Sequence, residues 1–228
     1  MKKPVAVIDY SVDGLSGELI RSWLKIPSYT VKVVEGRPFP SISPYEIGAV
    51  IHSGSSLSIL ADTSFMEDAI DFVRRTSEVG IPQMGICYGH QLLARAAVGF
   101  DAVAKCSSIE IGWNDVDFLP SWPADGLSGS KAVLQSHYDC VVKIPKGSVV
   151  TATNRHTEIQ AFVNRDMKLF GTQFHPEFDR ENGNEFFKEN ADLLRRNNID
   201  LKKVLASGPG FRTGEIVFDH FLMTFRRE

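Results

Sequence analysis

Short apolar runs alternate with longer segments of helical periodicity through roughly the first hundred residues. Strands are predicted, from short runs rich in β-branched residues, at residues 5–8, 31–34, 47–51 and 81–85. Helices are predicted, from apolar residues that recur on one helical face, at residues 13–24, 65–80 and 92–98. Strands that alternate with helices in this way indicate βα units built around a mostly parallel sheet.

The second half of the chain is richer in strands. Its strands are predicted at residues 132–134, 141–142, 149–152, 159–163 and 169–174. Amphipathic helices are predicted at residues 184–196 and 215–225. The glycine-rich turn at 207–210 is too short to define a domain boundary. We therefore expect one three-layer α/β domain over residues 1–228, with helices on both faces of the sheet, a core at 1–196 and a helical extension at 197–228.

Composition places the chain among ordinary globular proteins. Hydrophobic residues make up 43% of the 228 residues and charged residues 23%, which is enough for a sizeable core. There are 25 lysines and arginines against 28 aspartates and glutamates, a net charge of -3, so we expect no nucleic-acid partner. No apolar run approaches the about 20 residues of a membrane helix, so we expect no membrane partner.

The cysteines and histidines form no recognisable metal motif. Cys87, Cys106 and Cys140 are odd in number and widely spaced, which fits neither a disulfide framework nor paired zinc ligands. The six histidines lack the paired helical spacing of a metal hydrolase. We therefore expect a reducing, cytoplasmic location, no metal and no cofactor.

One cysteine lies between two glycines where a predicted strand meets a predicted helix. In Gly85-Ile86-Cys87-Tyr88-Gly89, this spacing is typical of a nucleophile on a sharp strand-to-helix turn. The amides and dipole of the following helix would stabilise a thiolate, the reactive form of cysteine. A buried structural cysteine in a tight turn is the alternative for this motif taken alone.

A second motif decides between these interpretations. Gln91 lies one helical turn beyond Cys87, and Gln173-Phe174-His175-Pro176-Glu177 follows a later apolar strand. Together the two motifs resemble those of the class I (triad) glutamine amidotransferase family, and the weaker similarity runs from the first strand to about Arg196. The resemblance implies a flavodoxin-like fold, with the nucleophile beyond the carboxyl end of a central strand.

The resemblance also implies roles for single residues. Cys87 matches the family nucleophile, which attacks the side-chain amide of glutamine to form a γ-glutamyl thioester. His175 matches the base that activates the thiol and protonates the departing amine, and Glu177 matches the carboxylate that orients this histidine. His90 lies in the cysteine motif, but we expect it to be structural.

Further residues are expected to hold the substrate. The amides of Gly54 and Tyr88 match the oxyanion donors of the family, and Ser53, Gln91, Ser136 and His137 are expected to bind the substrate. The loop Ser53-Gly54-Ser55 departs from the glycine-rich run of the family. A missing glycine could restrict the loop to negative φ and misplace the donor.

Three functions remain open at this point. The first is a free-standing enzyme that hydrolyses the γ-amide of glutamine or of another γ-glutamyl compound. The second is a glutaminase subunit that delivers ammonia to a separate synthase of the GMP-synthase type. The third is a catalytically silent interaction protein with the same fold, which only the changed Gly54 loop supports. Glutamine or a γ-glutamyl compound is the expected small-molecule partner, with a synthase as a possible protein partner.

Overall fold

The computed structural model describes residues 3–121 and 127–225, and within these ranges the strands form one sheet. The strands are β1 Val5–Asp9, β2 Ser28–Lys32, β3 Ala49–His52, β4 Gln83–Ile86, β5 Val103–Phe118, β6 Gly129–Val141, β7 Val149–Thr153, β8 Ala161–Asn164 and β9 Leu169–Thr172. The helices are α1 Ser16–Trp23, α2 Met66–Glu78, α3 Tyr88–Val98, α4 Arg180–Glu189, α5 Ala191–Arg196, α6 Leu201–Ala206 and α7 Thr213–Phe225. Their strand order is β2-β1-β3-β4-β9-β8-β7-β5-β6.

One half of the sheet is parallel and carries the candidate site. Neighbouring strands run parallel from β2 through β1, β3 and β4 to β9. In the last of these pairs, Gly85 of β4 lies opposite Gly171 of β9, and Ile86 lies opposite Thr172. The carboxyl ends of β4 and β9 therefore meet at the same edge, where open α/β sheets place their ligands.

The other half of the sheet is antiparallel, so the sheet is mixed rather than mostly parallel throughout. Its largest part is the β5–β6 hairpin, which contains the predicted strands 132–134 and 141–142 as parts of the single strand β6. Its partner β5 was not predicted, because exposed polar residues alternate with buried ones along much of its length. The α/β prediction itself is confirmed.

Both faces of the parallel half are covered. Alternate side chains of a strand point to opposite faces, and in β1 Ala6 and Ile8 enter one apolar cluster while Val5 and Val7 enter another. The first cluster contains residues of α2 and α3, and the second contains residues of α1 and α7. This gives the predicted three layers of helix, sheet and helix.

The C-terminal helix belongs to one of these layers. Predicted at 215–225, α7 buries Val217, Phe218 and Phe221 completely against the sheet. At its start, a Cβ on Gly214 would lie 2.5 Å from the Trp23 ring of α1, so the two helices pack closely. The extension 197–228 is thus part of the folded core, apart from residues 226–228, which lie outside the described residues.

The predicted helix at 184–196 is divided in two. Asn190 separates α4 from α5 with φ −99° and ψ 22°, outside helical geometry. Asp179 begins α4 by accepting a hydrogen bond from the backbone N–H of Asn182 at 2.8 Å. In the described ranges, no helix is long and apolar enough to span a bilayer.

The burial of α7 makes a stability prediction. Replacing Phe218 by Ala removes a fully buried ring, and we expect the free energy of unfolding to fall by about 3–5 kcal/mol. The matched control is Met223→Ala on the same helix, whose side chain is 76% exposed and whose loss should change stability by less than about 0.5 kcal/mol. Urea unfolding followed by circular dichroism measures both. Equal stability of the two variants would show that α7 is a dispensable tail.

Candidate active site

Cys87 lies at the turn between β4 and α3, in an uncommon backbone conformation. Its φ is 49° and its ψ is −103°, and only a few per cent of non-glycine residues have positive φ. The backbone N–H of Cys87 donates to the Thr172 carbonyl at 2.8 Å, and the Cys87 carbonyl accepts from the N–H of Gln91 at 3.0 Å. Bonds to β9 on one side and α3 on the other therefore hold the strained residue in place.

The two glycines of the motif permit this turn. A Cβ on Gly85 would lie 2.3 Å from the Gly89 carbonyl oxygen, and a Cβ on Gly89 would lie 2.3 Å from the carbonyl oxygen of His52. Side chains at either position would force α3 away from β3 and β4. The spacing of the motif therefore reflects how closely the helix and strands approach, and it exposes the turn at the sheet edge.

His175 lies across from Cys87, on the segment that follows β9. Its backbone N–H donates to the Leu134 carbonyl at 2.9 Å, which anchors the segment to β6. Its ring nitrogen Nδ1 is 2.8 Å from Oε1 of Glu177, whose side chain is fully buried. On the other side, the indole N–H of Trp23 donates to the Glu177 backbone carbonyl at 2.8 Å. The structure thus brings the three predicted catalytic residues together and fixes Glu177 from α1.

The charges around His175 favour its protonated form. Burial by itself lowers the pKa of this imidazole, but the Glu177 carboxylate and then the Cys87 sulfur outweigh burial and raise the pKa from 6.5 to about 10. A positively charged His175 would stabilise a thiolate on Cys87. Such a pair can attack an amide carbonyl and then give a proton to the amine that departs.

Gly54 lies against both reactive side chains. A Cβ at this position would be 2.8 Å from Cε1 of His175 and 3.7 Å from Cβ of Cys87, so only glycine fits. Neither Ser53 nor Ser55 has a positive φ, so the departure from the glycine-rich family loop introduces no backbone strain. In the described part of the chain, the N–H groups of Gly54 and Tyr88 donate no hydrogen bond, which leaves both for an oxyanion.

Ser53 does not reach the substrate site, which corrects the prediction for this residue. Its hydroxyl accepts from the Tyr10 N–H at 2.8 Å and lies 3.1 Å from Oδ1 of Asp9. Its N–H donates to the Ile8 carbonyl, and its carbonyl accepts from the N–H of Gly89. All polar groups of Ser53 are therefore used inside the protein, where they fix the loop that carries Gly54.

A cavity of about 540 Å³ opens beside Cys87 and His175. Gln91, Ser136 and His137, three of the predicted substrate-binding residues, line it. The Ser136 carbonyl oxygen is 3.8 Å from Sγ of Cys87. The side-chain amide of Gln91 donates to the Asp139 carbonyl at 2.7 Å, which ties α3 to the end of β6. These residues form the inner end of the cavity.

His90 is not part of this cavity. It is completely buried, and burial lowers the pKa of its imidazole to about 3, which keeps the ring neutral. A Cβ on Gly171 would lie 2.3 Å from Nδ1 of His90, so the ring packs directly on β9. This position agrees with the structural role expected from the sequence.

Glu110 is a buried residue that sequence reasoning missed. Its carboxylate oxygens lie 3.0 Å from Nε2 of His137 and accept amide N–H bonds from Gln160 at 2.9 Å and Asn154 at 2.6 Å. Burial would raise the pKa of Glu110, but the bonds from His137 and Asn154 hold it below its usual range. The network fixes the segment that carries Ser136 and His137.

The same network contains the metal-compatible group found among the described residues. Donor atoms of Glu110, His137 and His156 lie within 4.8 Å of one another. The carboxylate, however, already accepts the bonds from Gln160 and Asn154, so hydrogen bonding accounts for the cluster. Single acidic residues give no sequence signal for such a role, because their partners are far away along the chain.

The raised pKa of His175 makes a pH-dependent prediction. Between pH 6.5 and about 10 the folded protein keeps a proton that the unfolded chain releases, so stability from charged His175 is fully present below pH 6.5 and is lost as the pH rises through 10. In Glu177→Gln the main charge that raises the pKa is gone, and burial should bring it to about 6.5 or below.

NMR titration of the His175 imidazole measures this change. The control is Glu181→Gln on α4, which replaces an exposed carboxylate and should leave the His175 pKa unaltered. A pKa of His175 that is the same in Glu177→Gln as in the parent protein would contradict the proposed pairing.

Comparisons with known proteins agree with the fold and the motifs. The family model "Glutamine amidotransferase class-I" matches residues 24–192. One relative is the smaller of two categories found, a separate subunit rather than a full-length synthase: it belongs to the glutamine-hydrolyzing GMP synthase of Sulfurisphaera tokodaii. That protein is 36% identical over 172 residues, which cover 73% of this chain and 86% of the relative.

Two solved structures share the whole fold, including the C-terminal helices. A glutamine amidotransferase from Thermotoga maritima has a TM-score of 0.80 at 19% identity and covers 100% of both chains. A glutamine amidotransferase from Methylobacillus flagellatus has a TM-score of 0.81 at 23% identity, over 100% of this chain and 97% of that chain. With the family match over most of its length, the chain belongs to the class I glutamine amidotransferase family.

Proposed function

We propose that this glutamine amidotransferase is a free-standing enzyme that hydrolyses the γ-amide of glutamine or of a γ-glutamyl compound through a thioester on Cys87. The observation that carries the proposal is the Cys87, His175 and Glu177 set in the wall of an open cavity, with His175 bonded to Glu177 at 2.8 Å. This geometry fits a nucleophile, a base and a residue that orients the base.

In the first step, the sulfur of Cys87 attacks the γ-carbonyl carbon, and the carbonyl oxygen becomes an oxyanion. The N–H groups of Gly54 and Tyr88 are the proposed donors to this oxygen, because both are adjacent to Cys87 and make no bond within the described chain. A well-placed donor of this kind contributes about 3–4 kcal/mol to transition-state stabilisation. The carbon–nitrogen bond then breaks, and His175 gives its proton to the departing amine.

In the second step, His175 takes a proton from water, and the resulting hydroxide attacks the thioester carbonyl. The carbon–sulfur bond breaks, which releases glutamate and restores the Cys87 thiolate beside the charged imidazole. The balance is one amide and one water consumed for one glutamate and one amine. Backbone groups of Ser136 and His137, held by Glu110, are the proposed contacts for the α-amino and α-carboxylate groups of the substrate.

A glutaminase subunit is the second candidate. It is favoured by the similarity to the GMP synthase subunit of Sulfurisphaera tokodaii, because the match covers most of that protein. In such a role the free chain would be slow, because glutamine would otherwise be wasted, and docking of a synthase would raise the rate. The Gly54 loop is already unstrained and adjacent to Cys87, which supports activity without a partner.

Removing the nucleophile tests the reaction. We expect Cys87→Ala to lower glutamate release from glutamine and γ-glutamyl amides by at least about 1000-fold, because the thioester cannot form. Cys140→Ala is the matched control, since this thiol donates to the Ala104 carbonyl on the β5–β6 hairpin and should not affect the rate. Full activity of Cys87→Ala would overturn the proposal.

The two candidate roles differ in what the purified chain does alone. We expect steady release of glutamate with no other protein present. The assay is repeated with a GMP-synthase-type synthase subunit from the same cell. Absence of turnover on every substrate until that protein is added would contradict the free-standing role and favour the glutaminase role.

A further inference from the structure

The cavity beside Cys87 is larger than glutamine requires. Its volume of about 540 Å³ is in the range of sites that hold drug-sized ligands, about 300–1,000 Å³. It runs from Cys87 past His175 into the space between α1 and the α4–α5 pair. An enzyme that released only ammonia would have no substrate group to place in this outer part.

The outer part lies on the side of the departing amine. His175 protonates that amine, so the amine nitrogen must come within hydrogen-bond reach of the imidazole. The Phe178 ring lies 5.7 Å from the His175 ring, and the Phe186 ring lies 5.4 Å from that of Phe178. A substituent on the nitrogen would therefore pass along these two aromatic rings.

The walls of the outer part are apolar. Leu15 and Leu19 line it from the α1 side, and Phe186 and Leu193 line it from α4 and α5. Leu19, Phe186 and Leu193 pack on the same apolar cluster, while Leu15 is 57% exposed. An alkyl chain on the substrate would cover this exposed apolar surface.

The charges at the rim select between such chains. Four exposed carboxylates line the cavity: Asp13, Glu18, Glu185 and Glu189. Among the described residues that line it, Lys105 is the single lysine or arginine, and its ammonium pairs with the Asp139 carboxylate at 3.3 Å. A second carboxylate on the substrate would be repelled here, whereas an ammonium group would be attracted.

From these features we infer that the preferred substrates are γ-glutamyl amides of aliphatic amines, with an apolar chain on the nitrogen and a neutral or positively charged end. The inference rests on the proposed hydrolysis and names its substrate class. It excludes γ-glutamyl peptides, because their leaving groups carry a carboxylate. The reaction consumes one water and releases glutamate and the free alkylamine.

A matched set of four substrates tests the inference. Three are γ-glutamyl amides with the same linear alkyl chain, which ends in a methyl, an ammonium or a carboxylate group, and the fourth is glutamine. We expect kcat/KM for the methyl and ammonium compounds to exceed that for glutamine by about tenfold or more. The carboxylate compound should be about tenfold poorer than the ammonium compound.

Variants of α4 test the residues behind this preference. We expect Phe186→Ala to reduce the preference for the methyl compound over glutamine. The double variant Glu185→Gln with Glu189→Gln should reduce the ratio of ammonium to carboxylate turnover by about threefold. Glu181→Gln is the control, because this exposed carboxylate is on the same helix but does not line the cavity.

The outcomes separate the inference from the proposed function. Equal kcat/KM for all four substrates, or a preference for the carboxylate compound, would overturn the inference and leave the hydrolysis standing. Ratios in the α4 variants that match those of Glu181→Gln would also overturn it. Hydrolysis of none of the four compounds would overturn the proposed function and the inference with it.

Discussion

The fold depends on the close approach of α3 to β3 and β4 at the strained residue Cys87. The φ of 49° is held because β9 and α3 both bond to the Cys87 backbone, and because Gly85 and Gly89 leave room for direct backbone contact. The same approach brings Gly54 against the cysteine and His175. Sheet packing and site geometry are thus consequences of one constraint, and a side chain at either glycine would disturb both.

The C-terminal helix reaches the site indirectly. α7 packs through Gly214 on Trp23, whose indole N–H holds the Glu177 backbone, and Glu177 in turn pairs with His175. The segment after residue 196 therefore supports the parallel sheet and contacts the residue that positions the carboxylate. This connection explains why a helix outside the family-model match is buried as deeply as the core strands.

The sequence predicted the parallel half of the sheet well, because its strands are short, apolar and buried on both faces. The β5–β6 hairpin was harder, because β5 exposes polar side chains along one face and its period is masked by charged residues. Ser53 was wrong for a different reason, since a motif position does not tell where a side chain points. Glu110 gave no signal, because its partner Gln160 is 50 positions away and only the folded chain brings them together.

The central claim is that Cys87 carries the covalent intermediate. Rapid-quench mass spectrometry of the intact protein, mixed with glutamine and digested at low pH, detects it most directly. The account predicts a γ-glutamyl adduct that appears within the first turnover and maps to the peptide containing Cys87. Glutamate release with no adduct at any time, or an adduct that maps to Cys106 or Cys140, would contradict it.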